Sequence, residues 1–522
     1  MTVAQDERKV NDDSERLVEE LEDENDIAFV HKKRRRMLPI YACSIVSLSA
    51  LLILIAVGIA YGVLSWAIPV NQEQLIWDWD NINVKDRYFP EDFLWGTATS
   101  AHQVEGYNDN NQWHAFEQGL LWKPESGLPI GDGTVSGKAC DHWNLYKKDI
   151  QLMKKDLGTN TYRFSIEWSK IEYRKGQYNM SVVQHYHDVI DELLANNISP
   201  MVTIHHFTDP LWFVDLGAWE KSENVEHFVS FAKFAFNEYS SKVKLWCTIN
   251  EPNVYSLAGY TGGGFPPRKN DIPLAMEVMK NFGDGHVAAY RALKQLPNGA
   301  ESKIGIVHQL GNHDAYNKDS LMDRVITKFA NDLSPGIFLS FFSTGIMKFH
   351  IPFVVNFNHE NKDAINSNDF IGLNYYTRQV EQFTFDSPTL ANQYRDRSRN
   401  YTDMDWEIYP EGIYRMIKLI DHYNPNIPII ITENGIADAK DRFVKMFYER
   451  YLYAVSRAIK EGYNVKGFVA WSLLDNFEWS GGFEPRFGLY HVNYETQERT
   501  LKEGSKAFIQ AISEWKATHL KA

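Results

Sequence analysis

Two carboxylates in this sequence sit where chemistry is commonly done. In PIIITENG, residues 428–435, a run of β-branched side chains reads as a buried strand that delivers Glu433 just before the turn glycine Gly435. A single acid at a strand end is ordinarily a cap or a solvent-facing residue. The pattern recurs in LWCTINEP, residues 245–252, where a second short apolar strand ends in Glu251, between Asn250 and Pro252. Two acids at the ends of two buried strands are the minimum equipment for general acid/base or nucleophilic work on a glycosidic bond.

The elements that must position these acids alternate along the chain. Strands are predicted at Phe93–Ser100, Thr161–Trp168, Pro200–His206, Leu245–Asn250, Lys303–Gln309, Asp369–Tyr375, Pro428–Thr432 and Gly467–Leu473. Helical patterns fall at Asp141–Asp156, Val182–Ala195, Glu223–Tyr239, Leu274–Leu293, Gly412–His422, Phe443–Glu461 and Lys502–Trp515, with the weakest helical signal after the fifth strand. A strand followed by a helix, eight times over, argues for an α/β fold of the (β/α)8 barrel type. In such a barrel the strand ends facing the βα loops build the active site, and both acids are at such ends.

Composition sets outer bounds. The chain has 522 residues, is 44% apolar and carries a net charge of -14, which argues against a nucleic-acid partner because no broad basic surface could replace phosphate counterions. The 15 Trp, 27 Tyr and 30 Phe suit a carbohydrate cleft or simply a large core. Three Cys are too few for a disulfide scaffold: Cys43 lies in an apolar run, and Cys140 and Cys247 are expected to be buried free thiols.

The N-terminal region has its own logic. Residues 1–36 are charged, acidic at 19–26 and basic at HKKRRR, 31–36, and read as a disordered cytosolic tail. Residues 37–68 are uncharged, and Leu38–Ile68 is apolar enough to place a transmembrane helix in the lipid bilayer. A cleavable signal peptide is the competing reading, against which stand the long charged lead and the length of the apolar run. With Lys32–Arg36 directly before the span, the positive-inside rule keeps the tail in the cytosol and sends the rest across, a single-pass type II signal anchor with an extracellular or lumenal domain. Sequons at Asn179, Asn197 and Asn400 agree with that orientation. Residues 69–88 are expected to be a polar and aromatic connector, and the barrel domain to span 89–522.

From Phe89 onward the motifs FPEDFLWGTATSAHQVEG (89–106), ACDHWNLY, YRFSIEWSKI, CTINEP, DFIGLNYYT, ITENG and WSLLDNFEW follow one another in the order found in the glycoside hydrolase family 1 β-glycosidases, and the sequence resembles that family over almost the whole remaining chain. The resemblance implies that Glu251 is an acid/base and Glu433 a nucleophile, with Arg163 and Tyr376 beside the nucleophile. It implies further that Gln103, His206, Asn250, Glu478 and Trp479 read sugar hydroxyls over a Trp471 floor. Asn374 is open between a backbone brace and a sugar contact. Carboxylates and amides take hydroxyls in bidentate fashion, and an indole covers the apolar face of a pyranose.

The resemblance also narrows the substrate. A carboxylate at Glu478 would repel a phosphate on the sugar, which argues against a 6-phosphoglycosidase. Family members that cleave thioglucosides often lack the acid/base Glu, whereas Glu251 is present. The implied activity is therefore retaining hydrolysis of terminal non-reducing β-D-glucosyl residues, or β-galactosyl or β-fucosyl residues, from O-glycosides and oligosaccharides, with no cofactor and no metal. An inactive membrane-tethered receptor is the alternative, although such proteins usually lose a catalytic carboxylate. Departures are Glu167, where many members have a small residue, and Phe207, where many have Trp. The segment Thr377–Asp405, after the sixth strand, follows no fixed pattern.

Overall fold

The computed structural model describes residues 3–68, 74–122, 129–351, 354–387 and 390–519. It divides into two units, residues 1–71 and 72–522. In the first, one α-helix runs Val3–Ala67. Its stretch Val46–Ala67 has a mean hydropathy of 2.4 and is long and apolar enough to cross a membrane. The tail expected to be disordered is helical from Val3. The charged composition excludes a hydrophobic core, but with no Gly or Pro among residues 1–36 it does not exclude a helix.

The second unit is a closed barrel of eight parallel strands. They are β1 Leu94–Thr99, β2 Thr161–Ser165, β3 Ser199–His205, β4 Leu245–Asn250, β5 Lys303–Gln309, β6 Phe370–Asn374, β7 Ile429–Asn434 and β8 Val465–Trp471. Each strand pairs with its neighbours in chain order, and β1 closes on β8. All eight match predicted strands to within a few residues, because runs buried on both faces leave a continuous apolar signature. Alternate side chains point inward, so Ala98, Met201, Cys247, Val307, Ile430 and Val469 form a compact interior cluster. A much larger cluster fills the space between the strands and the surrounding helices. Cys140 and Cys247 are buried free thiols, and Cys43 lies among residues whose side chains are not described.

The fifth βα unit explains why its helix was hard to read. After β5 the chain forms a short strand, Asn312–Ala315, then helices Leu321–Asn331 and Ile337–Thr344 broken around Pro335. An antiparallel hairpin, Ile346–Ile351 with Val355–Glu360, precedes β6. The unreadable segment after β6 supplies strands Arg378–Phe383 and Ala391–Gln393, which join Asn312–Ala315 in a three-stranded sheet beyond the barrel rim.

The connector's boundary also differs from expectation. Residues 69–73 lie outside the described residues, but from Gln74 the chain is already packed on the barrel domain. Trp77 is buried against Tyr414 and Tyr453, with the Arg457 guanidinium 4.6 Å from its ring centre. Aromatic side chains that read as a linker in one dimension are the missing part of an outer helical face in three.

Gly435 marks the tightest approach beside the site. A Cβ there would overlap the backbone carbonyl oxygen of Trp471, which no rotamer change can relieve. Gly435→Ala is therefore expected to lower stability by roughly 1–3 kcal/mol and to reduce activity, measurable as a lower Tm beside a lower kcat.

Candidate active site

The C-terminal ends of the strands bring the polar side chains together. Asn250 and Asn374 are the last residues of β4 and β6, Glu433 and Asn434 end β7, Trp471 ends β8, and His206 follows β3 directly. Glu251 follows β4 with φ 46 and ψ 60, a left-handed conformation that a non-glycine residue rarely takes. Pro252 then opens the helix Pro252–Tyr260, its missing N–H costing nothing at that position. The Glu251 backbone N–H donates to the Val307 carbonyl at 2.9 Å, so the turn is tied to β5.

Arg163, inward on β2, is the hub. Its Nη1 donates to Glu433 Oε1 at 2.5 Å and to the Thr432 carbonyl at 3.2 Å, its Nη2 to Asn250 Oδ1 at 2.7 Å, and its Nε to Thr203 Oγ1 at 3.1 Å. The other Glu433 oxygen accepts the Tyr376 hydroxyl at 2.6 Å. Asn374 Nδ2 donates to Glu251 Oε1 at 2.7 Å and to Asn250 Oδ1 at 3.2 Å, while its own Oδ1 accepts from Thr432 Oγ1 at 2.7 Å. A continuous hydrogen-bonded path thus runs from Glu433 through Arg163, Asn250 and Asn374 to Glu251. Asn374, left open by sequence, braces a carboxylate.

The two acids have opposite surroundings. Glu433 faces the Arg163 guanidinium and the Tyr376 hydroxyl. Glu251 is pushed up to about 8, first by burial and then by the negative charge of Glu433, with the Asn374 amide opposing only in part. Glu478 is also pushed up to about 8 by burial and then by Glu433.

The remaining expected residues form the wall. Gln103 Nε2 donates to Glu478 Oε2 at 3.1 Å and to the Phe477 carbonyl at 2.9 Å, and its Oε1 accepts from Ser100 Oγ at 2.7 Å. Asn250 Nδ2 donates to His206 Nε2 at 3.2 Å. Burial, and next the Arg163 charge, hold the His206 ring well below its usual range and hence neutral. Its proton then belongs on Nδ1, which is buried and has no partner among the described residues. The His206 ring lies nearly parallel to both Trp471 and Trp479, with centroids 5.9 and 6.0 Å away.

Some contributors were not legible in the sequence. Thr203 and Thr432 look like ordinary strand residues until the barrel turns them inward onto Arg163 and Asn374. His102 lies almost parallel to Trp479, interplanar angle 6°, and is fixed by Glu117 at 2.7 Å and Asn111 at 3.1 Å. Its place in the SAHQVEG motif was the only signal. Of the two departures noted in the sequence, Glu167 is buried and accepts from Ser169 Oγ at 2.6 Å and Thr208 Oγ1 at 3.1 Å, lacing the loops after β2 and β3 together. Phe207 packs on Trp479 at 5.2 Å.

A (β/α)8 barrel with buried carboxylates on a polar network at the C-terminal ends of β4 and β7 defines a barrel enzyme acting on polar substrates. Comparison with known proteins names the class: residues 85–517 match the model for glycosyl hydrolase family 1. Beta-glucosidase A of Thermotoga maritima is 33% identical over 443 residues, covering 81% of this chain and 96% of that protein. The 1,4-beta-D-glucan glucohydrolase of Thermotoga neapolitana is 32% identical over 445 residues, covering 81% and 98%. Among solved structures, a beta-glycosidase from Pyrococcus horikoshii superposes with a TM-score of 0.72 at 36% identity, covering 83% of this chain and 97% of that one. The chain belongs to glycosyl hydrolase family 1 and is a glycosyl hydrolase.

The raised Glu251 has a stability consequence with a definite sign. The folded state keeps the proton up to about pH 8, whereas the unfolded chain loses it near the ordinary value of 4.5. Stability associated with this proton is complete below that ordinary value and is lost as pH rises through about 8. Glu251→Gln cannot ionise, so its Tm is expected to exceed that of the wild type at pH 9 and to match it at pH 4, checked by calorimetry across the range.

Proposed function

We propose that this protein is an exo-acting retaining β-glycosidase that removes terminal non-reducing β-D-glucosyl residues, or β-galactosyl or β-fucosyl residues, from O-glycosides. The supporting observation is the asymmetry of the two acids: Glu433 is held by Arg163 and Tyr376, while burial and the Glu433 charge raise Glu251 to about 8. A nucleophile needs to be ionised, and a general acid needs to hold its proton near neutral pH.

In this mechanism a Glu433 oxygen attacks the anomeric carbon while the glycosidic C–O bond breaks, and Glu251 gives its proton to the departing oxygen. The product is a glycosyl ester on Glu433. The Glu251 carboxylate then takes a proton from water as the water oxygen bonds to the same carbon and Glu433 leaves, restoring both groups. Direct attack requires carboxyl groups about 5 to 5.5 Å apart. Arg163 and Tyr376 hold the nucleophile, and Asn374 aims the acid/base. Gln103, His206, Asn250, Glu478 and Trp479 bind hydroxyls above Trp471.

We further propose that residues 38–68 form a bilayer-spanning signal anchor, with the tail cytosolic and the barrel extracellular or lumenal. Support comes from the apolar helix, the basic cluster immediately before it, and the exposure of two sequon asparagines, Asn197 and Asn400.

Because residues 72–522 form a compact unit, a purified chain starting near residue 71 is suited to the kinetic test. It is expected to release the aglycone from aryl β-glucosides. Glu433→Ala should lose about 10⁴-fold or more in kcat, with azide restoring turnover to an inverted product. Glu251→Ala should lose about 10²- to 10⁴-fold on poor leaving groups and far less on dinitrophenyl glycosides. A folded wild type with no turnover on any of these glycosides would refute the assignment. For the anchor, intact vesicles should yield to protease only at the tail, and an N-glycosidase should shift the protected fragment. Digestion of the barrel in sealed vesicles would reverse the topology.

A further inference from the structure

Residues 74–79, between the apolar helix and the barrel, touch the loop that supplies Tyr376. Gln74 Oε1 accepts from Arg378 Nη1 at 2.9 Å, and the Leu75 carbonyl accepts the Tyr409 hydroxyl at 2.6 Å. Glu411 Oε1 accepts both the Trp77 backbone N–H at 2.8 Å and the Trp79 indole N–H at 3.0 Å. Arg378 is a buried cation: its Nε and Nη2 donate to the two oxygens of Glu407 at 2.8 and 3.1 Å, its Nη1 donates to Asp314 at 3.0 Å, and its guanidinium lies 4.2 Å from the Tyr409 ring centre. Asp314 is also paired with Arg415 and belongs to the sheet beyond the rim.

This girdle ends at the nucleophile. Thr377 Oγ1 donates to the Glu407 carbonyl at 3.0 Å, and Trp406, one residue earlier, packs on Tyr376 with ring centres 5.4 Å apart. Tyr376, two residues before Arg378, donates to Glu433. Both ends of the loop that presents the Tyr376 hydroxyl are thus held by groups that residues 74–79 contact. Four of the five Arg378 N–H groups thus have acceptors, which fixes the plane of the guanidinium, and Gln74 supplies the uncharged one beside two carboxylates.

We infer that residues 74–79 are a positioning strap, with Gln74 and Trp77 holding the loop after β6 so that the Tyr376 hydroxyl stays on Glu433. The site of catalysis then depends on a segment that precedes the family match at residue 85. This rests on the reading of Glu433 as the nucleophile.

The test is a double-mutant cycle in the full chain, with Gln74→Ala and Trp77→Ala each made in the wild type and in Tyr376→Phe, and kcat/KM for an aryl β-glucoside read below the Tm of every variant. Each strap substitution is expected to lower kcat/KM by roughly 3- to 10-fold in the wild type and to have almost no effect in Tyr376→Phe. Glu514→Gln, which breaks the Arg87–Glu514 contact further along the segment, should leave both backgrounds unchanged. Equal losses in both backgrounds, or no loss in the wild type, would overturn the strap. If Trp77→Ala does not fold, Gln74→Ala alone decides. A Tyr376→Phe protein as active as the wild type would instead refute the site reading beneath it.

Discussion

A guanidinium buried at the centre of a barrel is the constraint from which the rest of this site follows. Arg163 is 1% exposed and cannot shed its proton, so its surroundings must supply acceptors in fixed directions. Glu433, Asn250, Thr203 and the Thr432 carbonyl do so. Because Asn250 spends its oxygen on Arg163, its Nδ2 faces His206, which sets the His206 tautomer. The same oxygen receives Asn374, whose Nδ2 is thereby aimed at Glu251. Through four direct partners, one cation orders three further side chains.

The Glu433 charge that Arg163 holds in place also acts on Glu251. Low dielectric strengthens the attraction between Arg163 and Glu433, and it also strengthens the repulsion that Glu433 exerts on Glu251. Burial and that repulsion together raise Glu251 to about 8. A buried network of this kind is costly when incomplete, which is consistent with supporting groups such as Thr203, Thr432 and Ser100 filling the remaining positions.

Around this centre the rim is built from pieces remote in sequence. The loops after β2 and β3 meet on Glu167, and Trp479 is stacked against His102 and His206 from the loops after β1 and β3. The sheet made of residues 312–315, 378–383 and 391–393 stands on the Asp314–Arg378–Glu407 cluster, which also meets Gln74. The placement of Glu251 and Glu433 is therefore a property of the barrel, and the mouth is a property of long-range ion pairs laid over it.

The strands and most helices were legible because their signals are local: both-face burial gives continuous apolar runs, and amphipathic helices repeat every 3.6 residues. Glu251 and Glu433 were legible because each sits in a short motif at a strand end, as were Arg163, Asn250 and Tyr376. The broken helices around Pro335, the hairpin before β6 and the rim sheet were not, because their strands are short and pair with segments far away in sequence. The docking of Trp77 and Trp79 was hidden for the same reason, since an exposed-looking linker becomes buried only once the helix Glu411–Tyr423 and its neighbours present a matching face. Sequence by itself determined which residue types stand at the strand ends and in what order the strands follow. Only the tertiary structure decided how much each carboxylate is desolvated and which donors reach it, because those depend on distances between residues that the chain places 57 to 270 positions apart.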